Sequence, residues 1–244
     1  MPKIRFTLFL CAFICLLTNC NPAYKANSVT YKGYSVMNLR TDSSVQNLLN
    51  PYREKMNEGM NVVIATLEHD LEKKQPECTL GNFMADAMYI LAEKKYGIKP
   101  DAAFVNFGGI RLPLIKAGPI TNGKIYELFP FDNIMVLVKL NGTVLQEFLD
   151  HISARGGWPV AGITMQIRNK KAVNVIIKGA PLDLNKEYLI ALGDYTANGG
   201  DDAFMLKGLP QINNGYLMRD AFIDYASMLK KINVQLENRV RNVE

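Results

Sequence analysis

The sequence predicts one domain in which strands and helices mix around a single core. Three observations support this. Short β-branched runs alternate with segments whose apolar residues recur at helical spacing. After residue 28 no linker, internal repeat or low-complexity tract divides the chain. The 244 residues are 48% hydrophobic and 21% charged, a globular balance at a length able to bury a core without cross-links.

The first residues read as a processing signal. Lys3 and Arg5 form a basic start, and Phe6 to Leu17 is an apolar run too short to span a bilayer. The run ends Leu16-Leu17-Thr18-Asn19-Cys20, which resembles a bacterial lipobox, although Asn19 stands where a small residue normally precedes the cysteine. The expected organisation is a signal peptide over 1–19, a tether over 20–28 with lipid on the Cys20 thiol, and a domain over 29–244. This predicts an exported lipoprotein of the cell envelope, on the periplasmic or outer-membrane face, held to the membrane through Cys20. Cys11 and Cys15 leave with the signal, so Cys78 stays alone and no disulfide is expected in the mature monomer. A formal net charge of +5 is too mild to call for a nucleic-acid polymer.

Within the domain, Val29-Thr30-Tyr31 through Leu39 alternates as a strand or hairpin broken at Gly33. Asp42-Ser43-Ser44 offers N-caps for a helix carrying Val45, Leu48, Leu49 and Tyr52, with Pro51 predicting a kink or two short helices. Asn61 to Leu67 reads as a strand, and Glu68 to Lys74 as a solvated charged stretch. A helix follows Glu77, with Phe83, Ala87, Ile90 and Leu91 on its apolar face and Asp86 as a cap or surface partner. Residues 101–106 form a buried strand, 134–140 another, and Asn141-Gly142 turns into a helix over 143–153. Strands 162–168 and 172–178 pair as a hairpin across Asn169-Lys170-Lys171. A strand over 188–192, an amphipathic helix around 216–230 and a short strand near Val240 complete the series.

Three loops carry chemistry-bearing residues. Asn106 to Arg111 holds paired glycines, Gly108 and Gly109, which let backbone N–H groups approach a ligand closely. The other two are Pro130-Phe131-Asp132-Asn133 and Tyr195 to Asp202. Together they offer two aromatic rings (Phe131, Tyr195), a guanidinium (Arg111), an amide (Asn106) and a carboxylate beside glycines (Asp201). Rings sandwich a planar base, a carboxylate suits vicinal hydroxyls and an arginine suits phosphate. The alternative is that both rings belong to the core and the glycines merely turn the chain.

The series Glu77-x-x-Leu80-Gly81-Asn82-x-x-Ala85-Asp86-Ala87, Asn106-x-Gly108-Gly109-Ile110-Arg111, Pro130-Phe131-x-Asn133 and Tyr195-x-Ala197-Asn198-Gly199-Gly200-Asp201 resembles the C-terminal, substrate-binding domain of the 5′-nucleotidase family over roughly residues 30–240. The resemblance implies an α+β fold in four layers, α/β/β/α, with mixed sheets. It implies that Phe131 and Tyr195 stack on the base, Asn106 contacts it, Arg111 takes the phosphate or ribose side and Asp201 the ribose hydroxyls. Lys74 occupies the place of a family arginine and keeps its charge without its fork. Tyr195 replaces a usual phenylalanine, and Asp202 replaces a glycine in the Gly-Gly-Asp-Gly run.

In that family the domain hands the phosphate to a separate N-terminal metallophosphatase domain with two metal ions. Here His69 and His151 are the only histidines, both expected to be structural or solvated, and no metal-ligand cluster or nucleophile–base arrangement is legible. The chain is therefore expected to have no catalytic or metal-binding residues and no cofactor of its own. Divalent metals are expected only in a separately encoded metallophosphatase subunit that works with this nucleotide- or nucleoside-recognition subunit. The alternatives are a non-catalytic nucleotide-binding lipoprotein of the envelope, or a scaffold whose pocket is unused.

Overall fold

The computed structural model describes residues 28, 30–33 and 42–244. The expected signal 1–19, the acylation site Cys20 and residues 21–27 of the tether lie outside the described residues. Of the strand or hairpin expected over 29–39, residues 30–33 are described; they are exposed and carry no regular structure. Residues 47–244 form one compact unit.

Helix α1 (Ser43–Met60) opens at Asp42, whose carboxylate accepts from the Ser44 amide at 2.8 Å and hydroxyl at 2.6 Å. It continues through Pro51 as one helix and not as two short ones. A proline leaves the carbonyl four residues back without its helical donor, and residues 43–59 are all exposed, so water serves that group.

The centre of the 47–244 unit is a five-stranded sheet. Strand β6 (Met135–Asn141) pairs antiparallel with β11 (Glu187–Gly193) along its whole length, from Met135 opposite Gly193 to Asn141 opposite Glu187. Strand β3 (Ala102–Phe104) runs parallel to β11, and β7 (Val160–Ala161) closes that edge. Strand β12 (Gln211–Ile212) borders β6 on the other side. The apolar runs of β6 and β11 are nearly continuous because both faces of the sheet are covered.

On one face lie α2 (Thr79–Tyr96) and α6 (Met218–Leu229), which bury Phe83, Met84 and Met88 with Ala221, Phe222 and Ala226. On the other, α4 (Gly142–Ala154) buries Leu145, Phe148, Leu149 and Ile152 in a second core. There Phe148 meets Phe104 and Trp158 edge-on at 5.1 and 5.9 Å between centroids. The second core also takes in a four-stranded sheet, in which β8 (Ile163–Arg168) and β9 (Lys171–Ile177) form the expected hairpin. Its turn is the pair Asn169 and Lys170, both at positive φ (50° and 62°), the handedness that matches strand twist. Strand β10 (Ala180–Pro181) extends it on one side and β14 (Val240–Asn242) on the other.

A third sheet joins β1 (Val63–Leu67), β5 (Gly118–Thr121) and β13 (Lys231–Ile232). The stretch 68–74 is not wholly solvated as expected. Strand β2 (Leu71–Glu72) pairs with β4 (Leu114–Ile115), and Leu71 is buried. One leucine among charges has no period of its own, so only its partner strand reveals it. The fold is thus the expected α+β arrangement with mixed sheets.

Candidate functional site

Strand register brings the three loops to one edge of the central sheet. Ala103 of β3 lies beside Ala191 of β11 and the two run parallel, so Asn106 and Tyr195 leave the sheet at the same end. Strand β6 runs the other way, with Met135 opposite Gly193, so the residues entering it, from Phe131 on, reach that end too. Ligands gather outside the carboxyl ends of parallel strands for this reason.

The glycine turn is a single 3₁₀ turn over Phe107–Gly109, closed by the Gly109 amide donating to the Asn106 carbonyl at 3.0 Å. A Cβ on Gly109 would stand 2.7 Å from Asn106 Oδ1 and 2.8 Å from the Phe129 ring, so any other residue would have to displace one of them. Phe131 meets Phe129 edge-on at 5.4 Å, and Phe129 meets Phe222 of α6 in the same way at 5.3 Å. Arg219, in the first turn of α6, holds the Phe131 loop from behind. It donates to the Phe131 carbonyl at 3.2 Å and to Asp132 Oδ1 at 2.6 Å, and lies 4.1 Å from the ring of Tyr126 in α3 (Asn122–Leu128).

Tyr195 stands in the short helix α5 (Asp194–Ala197). Its ring lies against the backbone of Gly200, where a Cβ would come within 2.5 Å of it. The Tyr195 hydroxyl donates to Asp201 Oδ1 and accepts from the Asp201 amide, both at 3.2 Å. Asp201 Oδ2 accepts from Asn106 Nδ2 at 3.0 Å, joining the second strand-end loop to the first.

These residues enclose a cavity of 340 Å³. Asn106, Gly108, Gly109, Arg111, Phe131, Tyr195 and Asp201 all line it, with Phe129 and Asn133. Phe131 and Tyr195 are 38% and 48% exposed, which excludes the alternative that they are core residues. The Arg111 guanidinium lies 5.8 Å from the Phe131 ring centroid. Two aromatic residues, a guanidinium and a carboxylate acceptor therefore share one concave space, equipped to hold a flat aromatic ligand bearing hydroxyls and an anion.

Lys74 is exposed and is not part of this lining. Its neighbour Lys73 is the lysine turned toward the glycine turn. Lys73 donates to the Ile110 carbonyl at 2.8 Å and covers the Phe107 ring at 4.3 Å. Burial, with the nearby Arg111 charge, holds its pKa below the usual lysine value. A second cavity of 280 Å³ adjoins the first across Gly108 and Asp201, and Arg155 and Trp158 help to line it. Sequence reasoning missed Lys73, Arg155 and Arg219. Each reaches the site through long-range packing that leaves no local motif. His69 is exposed, and His151 Nε2 lies 2.9 Å from the Asp201 carbonyl. Among the described residues no group of three or more His, Cys, Asp and Glu side chains gathers to hold a metal ion.

A sequence profile of the 5′-nucleotidase C-terminal domain matches residues 63–208. A 5′-nucleotidase of Vibrio cholerae is 28% identical over 225 residues, taking in 88% of this chain and 40% of that protein. An apyrase of Aedes albopictus is 30% identical over 225 residues, with 83% and 39% covered. Among solved structures, a 5′-nucleotidase precursor from Thermus thermophilus superposes with a TM-score of 0.73 at 30% identity, covering 83% of this chain and 43% of that one. The chain thus spans less than half the length of these relatives.

Proposed function

This chain belongs to the 5′-nucleotidase C-terminal domain family, and on that footing we propose that it is the nucleotide- or nucleoside-recognition subunit of a split 5′-nucleotidase. In this reading Phe131 and Tyr195 clasp the base, Asn106 contacts its edge, Asp201 accepts from the ribose hydroxyls and Arg111 attracts the phosphate. Gly108 and Gly109 let the backbone come close. The substrate phosphate is then presented to a separately encoded metallophosphatase, which supplies the divalent metals. One observation supports the reading above the rest: both partly exposed rings line the same cavity as the guanidinium and the carboxylate.

The same reading has the chain exported and anchored through lipid on Cys20, supported by the residues before that cysteine. Palmitate labelling that is lost in Cys20→Ser tests the anchor. The division of labour is tested by mixing the purified chain with a metal-loaded phosphatase encoded beside it. A gain in hydrolysis of nucleoside monophosphates over the phosphatase alone supports the split enzyme. No gain with any nucleoside mono- or diphosphate contradicts it, and tight AMP binding without a gain leaves a non-catalytic binding lipoprotein.

A further inference from the structure

The loop that delivers Asp201 has an unusual backbone. After Gly199, at φ 94°, both Asp201 and Asp202 take left-handed values, 51° and 60°. Glycine enters that region freely, whereas any residue with a Cβ resists it, aspartate less than most. Two in succession persist only where the surroundings hold them.

Helix α4 supplies the hold at its C-terminal end. His151 Nε2 lies 2.9 Å from the Asp201 carbonyl, and a carbonyl can only accept, so Nε2 carries the proton. Nδ1 is then an acceptor, and the Arg155 guanidinium meets it at 3.1 Å through NH1. Through NH2 the same guanidinium donates to Asp202 Oδ2 at 2.8 Å. One arginine thus ties the Asp202 carboxylate to the imidazole, and the imidazole ties the Asp201 carbonyl. The Asp201 carboxylate is left to accept from Asn106 and Tyr195 in the lining of the aromatic cavity.

We propose that His151 and Arg155 are positioning residues, which lock the consecutive left-handed aspartates so that the Asp201 carboxylate points at the ligand hydroxyls. Asp202 is the other half of the lock. At that position an aspartate needs Arg155, and a glycine would not. The consequence for affinity rests on the nucleoside reading; the consequence for the loop does not.

Trp158, the chain's single tryptophan, reports on the lock. Its ring stands edge-on to His151 at 6.4 Å between centroids and lines the second cavity with Arg155 and Asp202. The experiment compares the wild-type chain with Arg155→Met, Asp202→Gly and the double variant. Adenosine titration, amide exchange over residues 199–206 and Trp158 emission are read on each.

Arg155→Met is expected to weaken adenosine binding about ten-fold, as the fraction of competent loop falls, with faster exchange and altered emission. Asp202→Gly alone is expected to bind within about three-fold of wild type, because glycine holds the conformation unaided. The double variant is expected to return to the Asp202→Gly affinity, a rescue that a merely structural ion pair would not give. Wild-type affinity and exchange in Arg155→Met overturns the proposal, as does a double variant as weak as Arg155→Met. If the wild type binds no adenosine or AMP, the nucleoside reading fails on its own. Exchange and emission then decide the lock: faster exchange in Arg155→Met supports it, and unchanged exchange overturns it.

Discussion

Replacing Arg239 with methionine removes a cation that serves a half-hidden acid. Arg239 is 8% exposed, and its NH1 and NH2 donate to the two oxygens of Asp86 at 2.7 and 3.0 Å. NH1 also donates to the Val160 carbonyl at 3.0 Å, and Nε to Glu237 at 2.9 Å. The fork fastens the entry to β14 onto α2. Burial pushes the Asp86 carboxyl above the usual aspartate range, with Arg239 pulling the other way. Methionine keeps most of the apolar stem but takes the guanidinium away from Asp86. Removing one partner of a buried pair costs about 3–5 kcal/mol, and the partial exposure of Asp86 puts the expected loss near the lower end, about 3 kcal/mol at pH 7.

The loss also has a sign with pH. An acid whose folded pKa lies above its unfolded value binds more protons folded than unfolded, so its contribution weakens the fold as pH rises through that interval. Without the guanidinium the elevation grows. The gap between variant and wild type should therefore narrow as pH falls toward the carboxyl range and Asp86 takes up a proton. Urea unfolding of both chains at pH 7 and pH 4.5 measures this. A loss below about 1 kcal/mol at neutral pH, or a gap that widens on acidification, refutes the reasoning.

Further predictions concern glycines and the buried thiol. Gly109→Ala puts a methyl 2.7 Å from Asn106 Oδ1, so it should weaken adenosine binding in calorimetry through displacement of that amide. Gly142→Ala places its methyl 2.1 Å from the Asp183 carbonyl oxygen and 2.7 Å from Leu184 Cα, both backbone, and should cost about 1–3 kcal/mol in urea unfolding. Cys78 accepts from the Gly81 amide at the start of α2, and burial pushes its thiol up. Iodoacetamide at pH 8 should therefore leave the Cys78 peptide unmodified in the native chain and label it in urea, as read by mass spectrometry.

How legible each part was depended on whether its cause is local. The β8–β9 hairpin was readable because alternation on both sides and the Asn169-Lys170 turn occupy one short window. Helix α1 was readable from its caps and spacing, but the effect of Pro51 was not, since that depends on solvent reaching the freed carbonyl. The residue types of the site could be read from its three loops. Their meeting could not, because the parallel pairing of β3 with β11 joins segments some 88 residues apart, the separation of Asp101 and Leu189 in that ladder. The sequence did not show that Lys73, rather than Lys74, turns toward the glycine turn. Side chains alternate along an extended segment, so Lys73 shares the inward face of buried Leu71 while Lys74 points away. Arg219 reaches the Phe131 loop only because Leu217 bridges Ile134, which nothing near either residue announces.

The central claim is that the Phe131 and Tyr195 rings take a nucleobase between them. Isothermal titration of adenosine and AMP into the wild-type chain and into Phe131→Ala measures it directly. The expected result is saturable one-to-one binding to the wild type, weakened about 5- to 150-fold in the variant, the worth of one stacked base at about 1–3 kcal/mol. Equal affinity in both chains, or no heat with either ligand in the wild type, would contradict it.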